Sequence, residues 1–296
     1  MPKRIMRILC YRAFLVLVPG CLWLGSCAEA GANDTKTINR VIKWEGEKHV
    51  TVIIDIGAAS IDLRRGASGD ILNARVEYNP EEVRTDISYD RKGDRGEVYL
   101  VSERRDKGLD LDEEDNHWDL EIGDQIPISF EVDVGACDGE FDFTGLRVDG
   151  LDMDVGASSI GVDFRKPNSE RISKIRIEAG ASKLEMSGLG NANFEKLGFD
   201  GGVGDFSLDF SGDFDHRAQV SVDVGLGSLK ILVPHDAGVQ IRSSSSFLSS
   251  LSIDQHDFEE VEDDLYESDN FGKAAKELLF DIDLGLGSVE VEYTGR

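Results

Sequence analysis

Residues 152–164 read DMDVGASSIGVDF. Apolar and polar residues alternate, the alternation breaks at Gly156-Ala157-Ser158, and then it resumes. Leu151, Met153 and Val155 point one way, and Asp152 and Asp154 the other. After the break Ile160, Val162 and Phe164 return to the apolar face. A period of two is that of a strand, not of a helix. The stretch is therefore two short strands joined at a glycine corner. A glycine serves such a corner either by allowing positive φ or by allowing close backbone approach.

Near copies recur along the chain. They are HVTVIIDIGAASIDLRRG from His49, EVDVGACDGEFDFTG from Glu131, IRIEAGASKLEMSG from Ile175 and FDGGVGDFSLDFSG from Phe199. SVDVGLGSLKILVP from Ser221 and DIDLGLGSVEVEYTG from Asp281 complete the set. The corner glycines are Gly57, Gly135, Gly156, Gly180, Gly202, Gly225 and Gly285. From Gly135 to Gly225 they are spaced by 21, 24, 22 and 23 residues. A near-constant period of this size marks stacked repeats, because one unit cannot bury its apolar face alone. The expected fold is all-β: a β-solenoid, single-stranded and parallel β-helix-like, with rungs of about 22 residues.

Stacking in register predicts columns on the outside. Asp133, Asp154, Glu178, Asp223 and Asp200 should form one acidic ladder, and Asp142, Asp163, Glu185 and Asp209 a second. Neighbouring strands lie about 4.8 Å apart. Two unit charges at that distance in water repel by only about 0.9 kcal/mol, less with salt. Burying one large apolar side chain contributes roughly 1.5–3 kcal/mol. The ladders therefore need no bound metal to be tolerated.

The chain has 296 residues, 32 Lys and Arg against 58 Asp and Glu, and a formal net charge of −26. Apolar residues make up 40%, enough for a sizeable core. The negative balance disfavours nucleic acid and anionic lipid headgroups as direct partners. It leaves divalent cations, basic proteins or a solvated acidic surface.

The N-terminus differs from the rest. Lys3, Arg4 and Arg7 form a basic start, AFLVLVPGCLWLGS is apolar, and Cys27 follows Ser26, with Leu24 two residues before that serine. This pattern resembles a bacterial lipoprotein signal, which implies cleavage before Cys27 and lipid on Cys27. A cut after Ala30 as an ordinary signal peptide, or an uncleaved anchor, are the alternatives. Loss of residues 1–26 removes Lys3, Arg4, Arg7 and Arg12 and takes the formal charge from −26 to −30. Cys10 and Cys21 lie in the leader, so Cys137 alone remains as a thiol, expected buried and inert.

The expected organisation is a signal peptide over 1–26, a lipidated Cys27 and flexible tether over 27–45, and a solenoid over 46–296. Residues 80–118 interrupt the repeat with strands and charged loops, GEVYLVSE among them as a strand. Within them DKGLDLDEEDN has acids but not the ligand order of a calcium loop, and reads as solvated. Residues 243–270 form a Ser-rich and then acidic excursion, and FGKAAKELL at 271–279 offers a helical turn.

Chemistry is sparse. His49, His117, His216, His235 and His256 are isolated in sequence, with no zinc spacing. No GxSxG elbow occurs. The Gly-x-Gly runs lie between strands rather than before a helix, which disfavours phosphate cradling. Asp200, Asp205 and Asp209 are weak calcium candidates within a crowded acidic run, and a solvated face is the plainer reading. No cofactor is expected, and no catalytic residues.

Residues 116–164, with Trp118, Pro127, Gly135 and Gly156 in a strand, a proline step and glycine corners, resemble the toast-rack domain family. DVGLGSLKILVPHDAGVQI and LYESDNFGKAAKELLFDIDLGLGSVEVEY resemble the C-terminal domain of LiaF-like cell-envelope stress proteins. Together the resemblance spans about residues 50–296, loosely over 50–115. It implies a β-solenoid outside the cytoplasmic membrane. In LiaF-like proteins such a domain sits beside transmembrane helices and takes part in sensing envelope stress with a histidine-kinase partner, whereas this chain carries a lipoprotein signal. The resemblance supplies no catalytic residues. The expected function is a non-catalytic envelope lipoprotein, anchored at Cys27 and binding an envelope protein or polymer. A regulatory stress sensor is the alternative, and a polysaccharide-active enzyme a third.

Overall fold

The computed structural model describes residues 35–67, 69–105, 116–245, 249–253 and 257–295. The leader, Cys27, most of the calcium-loop-like stretch and His256 lie outside the described residues.

The first third contributes β1 (Lys36–Ile42), β2 (His49–Arg65), β3 (Leu72–Tyr78), β4 (Val83–Lys92), β5 (Arg95–Arg104) and β6 (Asn116–Ile122). The middle contributes β7 (Ile128–Asp142), β8 (Val148–Asp163), β9 (Ile175–Ser187), β10 (Lys196–Asp209) and β11 (Arg217–Val233). The last third adds β12 (Gly238–Ser245), β13 (Ser249–Ile253), β14 (Phe258–Glu262), β15 (Leu265–Ser268) and β16 (Glu277–Tyr293).

Each corner motif lies within one long strand. β2, β7, β8, β9, β10, β11 and β16 follow one another in the sheet, all parallel. A straight 15-residue strand such as β7 would be about 50 Å long. Residues 143–147, which return the chain to the start of β8, reach only about 20 Å. The strand must therefore turn back on itself, and it does so at the glycine. Two arms and a short return segment make one coil, which identifies a β-solenoid. Register follows the repeat: Asp133 pairs with Asp154, Asp154 with Glu178, Glu178 with Asp200 and Asp200 with Asp223.

Alternation buries one side of both arms. On the first arm Val132, Met153, Ile177, Phe199, Val222 and Ile282 form an inward column, every member buried. Leu151, Val155, Ile160, Val162 and Phe164 are buried as the opening stretch requires. Phenylalanines from the return segments fill the centre: Phe143 lies 4.9 Å from Phe130 and 5.3 Å from Phe164 between ring centroids. Asparagines stitch the return side. Buried Asn168 donates from Nδ2 to the Val148 and Ala192 carbonyls at 2.7 and 3.1 Å, and its Oδ1 accepts from the Val148 N–H at 3.1 Å.

The corner glycines are explained by crowding. A β-carbon at Gly135 would lie 2.5 Å from the Gly57 carbonyl oxygen, and one at Gly285 2.5 Å from that of Gly225. Gly156, Gly180, Gly202 and Gly225 face the preceding corner glycine in the same way. None of these has positive φ. Positive φ belongs to a second position two residues on, at Gly227 (145°) and Gly287 (138°).

Several expectations change. Residues 36–42, assigned to the tether, form β1, antiparallel to β3, because Ile42 is buried and Ile38 packs on the core. The described residues of 80–118, namely 80–105 and 116–118, belong to the stack. β5, which contains the expected GEVYLVSE strand, pairs with the first arm of β2, and β6 with the second. They make the outermost rung, with β4 antiparallel on β5 and β3 on β6. The described residues of the 243–270 excursion do the same at the other end. β12 and β13 pair in parallel with the two arms of β16, and β15 and β14 cover β12 in antiparallel order. Thus β16 inserts between β11 and β12. Residues 271–276 are turns and bends, and the chain is already in β16 by Glu277 rather than in a helix.

Candidate functional site

Outward residues form the surface, so any site is read in columns. The first acidic ladder is longer than expected: Asp55, Asp133, Asp154, Glu178, Asp200, Asp223 and Asp283 are in register. Burial first, then Asp200 and Asp283 on either side, push the Asp223 carboxyl above its ordinary value. Arg176 relieves part of the ladder by pairing with Glu178 and with Asp152, the latter at 3.0 Å.

The second ladder is corrected. Asp142 pairs with Asp163, but Asp163 pairs with Ser187 rather than Glu185. Glu185 falls in the neighbouring outward column with Asp62, Glu140, Gly161 and Ser207. Asp142, Asp163 and Asp209 each stand seven residues after a corner glycine, whereas Glu185 stands five after Gly180. Burial, then Asp163, Asp62 and Asp138, push Glu140 above its ordinary value.

The calcium candidates are strung along β10. Asp209 accepts from the Ser211 N–H at 2.8 Å, and Asp205 accepts from the Ser228 hydroxyl at 2.5 Å. Among the described residues no three His, Cys, Asp or Glu side chains are grouped to hold a metal ion. Cys137 is buried and free of disulfide.

One cluster that spacing could not reveal joins three rungs. His49 Nε2 lies 3.1 Å from Ser129 Oγ and 3.2 Å from Asp149 Oδ1, and the Ser129 hydroxyl donates to Asp149 Oδ1 at 2.7 Å. A nucleophile relay needs the serine and the acid on opposite ring nitrogens. Here both face Nε2, and the serine proton goes to the acid. The cluster braces β2, β7 and the residues at the start of β8.

A groove of about 570 Å³ crosses the first arms of the C-terminal rungs. Its floor is Gly198 and Ser221, with Asp281 and Arg242 continuing the same column through the pairing register. Beside it run Lys196, Gln219, Leu279 and Gln240, with Lys174 at the near end. The groove exists because Gly198 and Ser221 have almost no side chain where the rungs on either side carry Arg176 and Asp281. Among the described glycines, Gly198 combines open space around a would-be β-carbon with an ordinary φ. Lys174, Lys196 and Arg242 have no ion-pair partner among the described residues, whereas Arg64, Arg147, Arg176 and Arg217 are held by carboxylates. No motif signals this site. Its one trace in the sequence is a mid-strand glycine away from the corners.

Stacked coils, phenylalanine-filled interiors and bracing polar clusters define a β-solenoid with a long patterned exterior. The N-terminal domain of toast_rack, DUF2154, matches residues 30–187, and the chain belongs to that family. The pattern described as "Cell wall-active antibiotics response LiaF, C-terminal" matches residues 187–291. Among similar solved structures, a proposed cell adhesion protein from Clostridium sporogenes ATCC 15579 is 16% identical, with 88% of this chain and 100% of that chain covered and a TM-score of 0.48. A proposed adhesin from Bacteroides fragilis NCTC 9343 is 12% identical, with 88% and 98% covered and a TM-score of 0.33. No match is found among characterised proteins.

Proposed function

We propose that the chain is a non-catalytic binding module of the cell envelope, held at a membrane by lipid on Cys27. The observation that carries the binding role is the long in-register exterior, which presents a groove lined by amides, a hydroxyl, the Asp281 carboxylate and cations with no ion-pair partner among the described residues. Solenoids present such surfaces to extended ligands. The LiaF-like match supports the envelope location. Among the described residues no helix is long and apolar enough to cross a membrane. The anchor is read from the leader, where Ser26 and Cys27 carry the lipoprotein pattern. The non-catalytic reading is supported by the His49 cluster, in which the Ser129 hydroxyl donates to Asp149 rather than to the imidazole.

Two measurements test this. The full chain should co-sediment with an isolated envelope fraction and release no soluble glycan fragments; released fragments would make it an enzyme. Cys27→Ala should move the protein from the membrane fraction to the soluble fraction, and unchanged membrane association would remove the anchor. The match to a LiaF C-terminal domain also supports a regulatory reading, in which deletion alters the response to cell-wall antibiotics. An unchanged transcriptome under those antibiotics would count against it.

A further inference from the structure

We propose that the groove over Gly198 and Ser221 binds a polyhydroxylated polymer that carries spaced anionic groups. This rests on the reading of the chain as a binding module and names its ligand class.

Three features of the groove point to that chemistry. Cations stand at its two ends, Lys174 and Lys196 at one and Arg242 at the other, with no ion-pair partner among the described residues. Lys196 and Arg242 are three rungs apart through β10, β11, β16 and β12, or about 14 Å. Between them Gln219 and Ser221 offer neutral donors and acceptors, and Gln240, which also donates to Glu267 at 2.7 Å, extends that line. A chain with hydroxyls in the middle and acids at intervals matches this sequence of groups. A densely charged strand does not, because it would set anions against Asp281 and the adjacent ladder of Asp200, Asp223 and Asp283.

Gly198 is a further, independent feature. A glycine inside a strand weakens it, and it is retained where a backbone must turn or where something approaches closely. Gly198 meets open space and has an ordinary φ, so the fold does not require it. A side chain there would fill the floor of the groove. The overall charge of −26 repels an anionic polymer at long range. That repulsion is screened beyond about 8 Å at physiological salt, while contacts inside the groove are not.

The test uses the full chain at physiological salt, with calorimetry against four probes of similar length. Hyaluronan oligosaccharide supplies spaced carboxylates, and polyribitol phosphate supplies spaced phosphates. Chitin oligosaccharide is the neutral control, and poly-glutamate the acidic-peptide control. At least one of the first two should bind, and it reports which anion is read. Lys196→Glu and Gly198→Phe should each weaken that binding by about tenfold or more, with unfolding temperatures close to that of the parent chain. Gly198→Ser, a smaller change in the same space, provides a second floor variant if the phenylalanine form does not fold. Failure of both anionic polymers, equal binding of either control, or binding unaffected by both groove changes would each overturn the proposal. Envelope co-sedimentation that survives the groove variants would keep the binding module and remove this site from it.

Discussion

A β-carbon at Gly135 would sit 2.5 Å from a carbonyl oxygen of the rung below, whereas one at Gly198 would touch nothing. The atom in the way at Gly135 is backbone, held in the ladder, so it cannot move aside cheaply. Gly135→Ala is therefore expected to destabilise the protein by about 3 kcal/mol. Gly198→Ala should stabilise it by about 0.5 kcal/mol, since it removes freedom from the unfolded chain without a clash. Urea unfolding of the two variants checks the contrast, and similar midpoints would refute it. Asn168 offers a further test, because it satisfies one N–H and two carbonyls of neighbouring coils. Asn168→Leu leaves those groups buried without a partner, and a loss of about 2–3 kcal/mol is expected. The corner glycines were legible in the sequence because they recur. The reason for them was not, because positive φ and close approach leave the same residue behind.

Among the elements, the first arms carry the acidic ladder, and its cost should show in the pH dependence. The Asp223 carboxyl is raised by burial and by its neighbours in β10 and β16. An acid raised in the folded state favours folding when protonated. Its contribution is present in full below its unfolded value and is lost as pH rises through the folded value. Asp223→Asn should therefore stabilise the protein at neutral pH, by under about 1 kcal/mol given screening by solvent and salt, read as a higher unfolding temperature. The gain should vanish as pH falls below the ordinary Asp range. A gain that persists in acid would mean the residue acts through packing instead. Placement in columns was readable wherever the residue was counted from its glycine, as for Asp154 and Asp223. Glu185 was misplaced because it was matched by charge, and two residues along a strand keep the face but change the column. The groove was illegible because its walls come from four strands and from Lys174 just ahead of β9, and only the stack brings Lys196 near Arg242.

Across the whole molecule the chain orders its ends in a way that local pattern does not announce. β2 precedes β5 and β6 in sequence yet lies inside the rung they form, and β16 follows β12 and β13 yet lies inside theirs. Both ends carry split rungs, with antiparallel strands paired to β5 and β6 at one end and to β12 at the other, which occupies backbone edges that would otherwise recruit other strands. The sequence showed a repeat with two interruptions, and the interruptions are the caps. In such a stack each rung supports only its neighbours, so register is the property on which the ladders, the groove and the caps all depend. Ala157 and Ala181 are paired in adjacent rungs and both exposed, whereas Lys183, also exposed, lies two residues further along β9. Paired positions on neighbouring strands fall within the roughly 4.4–6.8 Å Cα separation of a disulfide. Mass spectrometry of the oxidised double variants measures the register directly. Ala157→Cys with Ala181→Cys should form a disulfide in near-full yield, and Ala157→Cys with Lys183→Cys should remain reduced. A bond between 157 and 183, or none between 157 and 181, would contradict the stack described here.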